Sequence, residues 1–84
     1  MADKLQQRLV ELVAAESLND VPRVPPPRCH ELTGDLKGNL AVDLVHPYRL
    51  VISPGHDPRP EKEDGGLDWA QVTEIVVEEV IDYH

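Results

Sequence analysis

Eighty-four residues make one small domain with a thin core, and 40% apolar and 29% charged side chains are an ordinary globular mixture. Eight Lys and Arg against sixteen Asp and Glu leave a net charge of −8, which on its face argues against a phosphate-backbone binder, because such binding is largely cation-driven. No apolar run approaches the roughly 20 residues needed to cross a bilayer, no signal peptide opens the chain, and the single Cys29 excludes an internal disulfide framework or a zinc ribbon. These features lead to the expectation of a cytoplasmic protein with no membrane partner.

In chain order, the first predicted element is a helix over 3–17. Leu5, Leu9, Leu12 and Val13 recur as one apolar stripe, with Gln7, Arg8, Glu11 and Glu16 on the outer face. Asp3 is the expected N-cap, with Gln6 three residues on as in a capping box. Residues 21–27 carry Pro22, Pro25, Pro26 and Pro27, which neither a helix nor a central strand tolerates, so this is an extended connector. A short strand is expected over Cys29–Leu32, followed by a turn at Gly34–Gly38, where the glycines suit positive φ.

Asn39–Val45 alternates, with Leu40, Val42 and Leu44 facing one way and Asn39, Ala41 and Asp43 the other. His46-Pro47 makes a tight turn, and Tyr48–Ser53 is the return strand, rich in β-formers. Residues 54–68 form an acidic loop rich in Pro and Gly. Asp68 can cap a short helical turn through Trp69–Val72, and Thr73–Tyr83 reads as a long strand. Ile75, Val77 and Ile81 fall on one face of it, and Glu78-Glu79 marks a place for a β-bulge. The predicted class is α+β, one N-terminal helix packed on an antiparallel sheet of three to four strands spanning 28–84, in a single domain over 1–84.

The acidity is uneven. Residues 1–49 hold six basic and seven acidic side chains, and residues 50–84 hold two and nine. A local cationic site therefore remains open in the near-neutral half. The candidates for chemistry are the four histidines, Arg49 and the terminal Asp82-Tyr83-His84, in which an Asp near a His can orient the ring. The four histidines His30, His46, His56 and His84 match no metal-ligand spacing, and no phosphate-binding loop, dinucleotide fingerprint or nucleophile elbow is present. Cys29 reads as a small buried hydrophobe and Trp69 as the anchor of the loop before it.

Taken together, His30-Glu31-Leu32-Thr33-Gly34-Asp35-Leu36-Lys37-Gly38, then Pro47-Tyr48-Arg49-Leu50, then Asp82-Tyr83-His84, resemble the HigB branch of the RelE-like toxins, the plasmid-maintenance killer proteins. The Lys62-Glu63-Asp64-Gly65-Gly66 run is similar to an insertion in a subset of them. Family members carry a strand and a longer helical region ahead of the position of Lys4–Leu9, which this sequence lacks. The resulting uncovered sheet edge leads to the expectation of self-association as a homodimer.

The resemblance implies a toxin of a type II toxin-antitoxin system, a metal-independent endoribonuclease that cuts mRNA at the ribosome without a cofactor. His30 and His84 would be acid and base, in an order the sequence leaves open. Arg49 would hold the scissile phosphate, Asp82 would polarise a neighbour, and Tyr83 would donate a hydrogen bond or stack on a base. Lys37, Arg28 and Tyr48 would contact RNA. The implied partners are the ribosome with its mRNA and a helix-turn-helix, HigA-like antitoxin. The alternative is a catalytically inactive, truncated relative that still binds an antitoxin or serves as a regulatory module.

Overall fold

The computed structural model describes residues 2–24 and 27–82. One helix, α1 (Ala2–Ala14), precedes four strands, β1 (His30–Glu31), β2 (Leu40–Asp43), β3 (Tyr48–Pro54) and β4 (Ile75–Asp82). Each strand pairs antiparallel with the next, so the sheet runs β1-β2-β3-β4 in sequence order. This is the α+β arrangement that the apolar periodicities predict: a helical stripe first, then period-two alternation.

The helix packs on one face of the sheet. Leu5, Leu9 and Leu12 lie against a buried cluster that includes Cys29, Leu40, Val42, Leu44, Leu50, Ile52, Trp69 and Val72. The even-numbered residues of β2 and β3 supply it because alternate side chains share a face. A smaller cluster on the opposite face joins Leu32, Ala41 and Val51, with Leu36 and Ile81 against it.

The structure corrects several details of the helix. It ends at Ala14, not residue 17, because Ser17 takes an extended backbone and Leu18–Asp20 form a separate 3-10 turn. That turn is pinned where the Leu18 N–H donates to the Val72 carbonyl at 2.8 Å, and the buried Leu18 joins the core. Asp3 lies in the first helical turn rather than at the N-cap. Val13 is 87% exposed, whereas Arg8, assigned to the outer face, is only 3% exposed. Its long aliphatic stem explains the reversal: the stem packs while the head finds partners.

The connector tucks its end under the sheet: the Cys29 N–H donates to the Pro22 carbonyl and the Asp43 N–H to the Pro27 carbonyl. Burial pushes the Cys29 thiol up from 9.0 to about 12. Between β1 and β2, Gly34 and Gly38 take φ of 67° and 99°, the left-handed region that glycine enters without a Cβ penalty. Trp69 is buried in the 3-10 turn Trp69–Gln71, its indole N–H donating to Glu31 Oε2 at 3.4 Å and Arg23 stacked 3.8 Å from its ring. It anchors the long loop, as its lone aromatic bulk predicts.

His56 fastens that loop's other end. Its Nε2 accepts the N–H groups of Thr73 and Glu74 at 3.1 and 3.2 Å, just before β4. The bulge expected in the last strand is present: Val51 pairs with Glu79 and Ile52 with Val77, so Glu78 is the extra residue. Its effect reverses one expectation. Ile75 and Val77 stand opposite Pro54 and Ile52 on the helix side, but Ile81 stands opposite Arg49 and packs on the other face.

Candidate functional site

Asp43, at the end of β2, gathers groups from three elements. Its carboxylate accepts two bonds from Arg28, from Nε at 2.8 Å and from an Nη at 3.1 Å, a two-pronged pair. The Arg49 Nε lies 3.5 Å from the same carboxylate, as the register predicts, since Asp43 and Arg49 are direct partners across β2 and β3. From below, the Arg8 Nε donates 2.7 Å to the Asp43 main-chain carbonyl, while the same guanidinium bridges to Glu11 at 3.0 Å. Two guanidiniums thus converge on one carboxylate in an acidic chain.

Arg28 adopts φ 53°, a left-handed conformation that costs an L-residue with a Cβ roughly 1–2 kcal/mol. Its hydrogen bonds to Asp43 raise its guanidinium above the ordinary value, against some loss from burial, so it stays charged. The same strained residue turns its carbonyl to His30, whose Nδ1 lies 2.8 Å from it. A carbonyl only accepts, so Nδ1 carries a hydrogen, and in the neutral ring Nε2 is the nitrogen with the lone pair. His30 is thus oriented by the residue that also holds Asp43.

Alternation sorts these groups by face. His30 pairs with Ala41, Asp43 follows two residues along β2, and Arg49 is the partner of Asp43. His30, Asp43 and Arg49 therefore share the sheet face opposite α1. Beside Arg49, the residues Arg28, Asp43, Leu44, His46, Pro47 and Tyr48 line a cleft of about 280 Å³ at the β2–β3 turn. Arg28 and Tyr48, expected to touch RNA, are thereby brought beside Arg49.

Lys37, expected with them, lies elsewhere. It follows β1 at the other end of the sheet and lines a separate cleft of about 690 Å³ with Glu31, Arg59 and Glu61. There the Arg59 guanidinium donates to the Gly38 carbonyl. Asp82 stands opposite Tyr48 on β4, one step out of phase with Arg49, so the two lie at the same sheet end with opposite alternation. Tyr83 and His84 lie outside the described residues.

Asp43 and Arg8 join the site without having been singled out from sequence, and His46, one of the four candidate histidines, lines its cleft. Asp43 had one legible signal, a lone acid on the outward phase of an apolar strand. Its pairing with Arg49 needed the hairpin register, and Arg8 needed the packing. Among the described residues no group of three His, Cys, Asp or Glu stands together as a metal cage. No helix among the described residues is long and apolar enough to cross a membrane. The fold and site thus define an α+β chain with an arginine-rich cleft beside an oriented histidine. Comparison with protein-family models, curated proteins and solved structures finds no match to this chain.

Proposed function

We propose that the chain is an RNA-cleaving toxin similar to the HigB branch of the RelE-like proteins, acting on ribosome-bound mRNA. The observation that carries the reading is the shared sheet face of His30 and Arg49, with Arg28 holding both His30 and Asp43 in place. A phosphodiester needs a cation on its oxygens and a base on the 2′-hydroxyl, and this face offers both types of group.

In the proposed reaction, a base takes the proton from the ribose 2′-hydroxyl, and the oxygen attacks the adjacent phosphorus. The bond from phosphorus to the 5′-oxygen breaks, and an acid protonates that oxygen. The products are a 2′,3′-cyclic phosphate and a 5′-hydroxyl, with no redox change and no metal or cofactor required. His30, with its Nε2 lone pair, is the base in this reading. His84 is then the acid, by resemblance alone. Arg49 carries the phosphate, and Arg28 adds charge. Tyr48, 40% exposed beside them, offers a ring for a base. Asp82 and Tyr83 keep the polarising and stacking roles implied by the resemblance. The implied partner remains a HigA-like antitoxin.

The test is induced expression in a bacterial host together with cleavage of an mRNA on purified, magnesium-assembled ribosomes. Wild type should arrest growth and leave cyclic-phosphate ends. Arg49→Ala and His30→Ala, checked for folding by circular dichroism, should each lower cleavage by about 10²–10⁴-fold. Normal growth and intact mRNA with folded wild-type protein would leave the second reading, an antitoxin-binding relative without catalysis. The −8 charge is the observation that favours that reading.

A further inference from the structure

We propose that the outer edge of β4 receives an extended, lysine- or arginine-bearing segment of a protein partner as an added strand. This inference is independent of the ribonuclease reading and concerns the far side of the sheet from β1. β4 is eight residues long and pairs with β3, and among the described residues no strand pairs with its other edge. Val76, Val77 and Val80 on it are 48%, 50% and 41% exposed. A long, β-branched edge of this kind is a template for strand addition, with main-chain bonds for affinity and side chains for selection.

The charge on the edge says which strand fits. Glu78 and Glu79 sit at its centre, and Glu74 precedes it, in a chain of net charge −8. A second copy laid antiparallel over the full length of β4 would place Glu78 against the other copy's Glu79. Slipping by one residue brings Glu79 to Glu79 or Glu78 to Glu78. Like charges directly opposite are destabilising, so the edge disfavours itself. Cations spaced along an incoming strand would answer the same carboxylates, and apolar neighbours would cover the valines. The field of the whole acidic molecule would speed capture of such a segment. The Glu78 bulge, held by the Ser53 hydroxyl donating to Glu78 Oε1 at 2.6 Å, interrupts the regular ladder and adds shape selection.

The probe is a fluorescein-labelled peptide alternating lysine and valine, titrated with the intact chain and read by anisotropy. Controls are the same peptide N-methylated at alternate amides and a version with glutamate in place of lysine. The lysine peptide should bind saturably and weaken with added salt, and it should protect β4 amides from hydrogen exchange. N-methylation should abolish binding. Glu79→Lys should weaken it about fivefold, the scale of one cross-strand charge pair, and Glu79→Gln should have a smaller effect. Both variants lie at an exposed position and are checked for folding by circular dichroism. Equal binding of the N-methylated peptide means charge alone and overturns the proposal, as does equal binding of the glutamate peptide. A dimer in light scattering that Val77→Lys dissolves also overturns it, because the occupant is then a second copy.

Discussion

The side chain of Arg8 joins helix to sheet. It is nearly fully buried, its Nε satisfies the Asp43 carbonyl at 2.7 Å, and its stem lies where a helical wheel places a surface charge. Arg8→Ala removes the packing and strands a carbonyl, so it should cost about 2–3 kcal/mol in urea denaturation. Arg8→Met, which keeps the stem, should recover part of that loss. A cost under about 0.5 kcal/mol for Arg8→Ala would place the residue at an ordinary surface site.

Cys29 gives a pH prediction. Its thiol holds its proton in the folded chain up to about 12, while the unfolded chain releases it near 9.0. Between those values the folded state binds the extra proton, so stability falls as pH rises, by up to about 1.4 kcal/mol per unit. Subtracting the profile of Cys29→Ala, measured alongside, isolates this contribution, and parallel profiles would contradict it. The folded thiol should also resist alkylation at neutral pH. The burial of Cys29 was legible from its residue type, since a free cysteine behaves as a small hydrophobe. Asp43 was not legible as the centre of the site, because an acid two residues before a turn looks solvated until its cross-strand partner is known.

Among the elements, β2 and the start of β3 follow the sequence most directly. Strict alternation from Leu40 to Leu44 assigns each side chain a face, and the two buried clusters divide accordingly, with Leu40, Val42 and Leu44 in one and Ala41 in the other. In β4 the pair Glu78-Glu79 announced the bulge, but the consequence for Ile81 required the pairing with β3. Ile75 and Ile81 now belong to different clusters. Ile75→Ala and Ile81→Ala should each destabilise by about 1–3 kcal/mol and add within about 0.5 kcal/mol in the double variant. A larger coupling would mean that the two share one cluster and that the strand is unbroken. Trp69, the chain's only tryptophan, reports both experiments by fluorescence. The helix stops short of residue 17 for a local reason: Leu18 enters the core from a 3-10 turn tied to Val72 rather than from the helix.

At the scale of the whole molecule, the charge and the proposed chemistry are reconciled by segregation. The acids concentrate in the 54–68 loop and along β4, while Arg28 and Arg49 converge on one carboxylate at the β2–β3 turn. The net −8 therefore bears on partner choice over much of the surface, while two arginines meet in the cleft at the β2–β3 turn. Composition alone could not reveal this, because it averages over positions that the hairpin brings together.

The most direct test of the central claim is single-turnover cleavage of a 5′-labelled mRNA programmed on purified, magnesium-assembled ribosomes, with wild-type chain and His30→Ala side by side. The account predicts discrete cuts with 2′,3′-cyclic phosphate ends for wild type, and loss of about 10²–10⁴-fold in rate for the folded variant. Intact mRNA with folded wild type, or equal rates for both proteins, would contradict it.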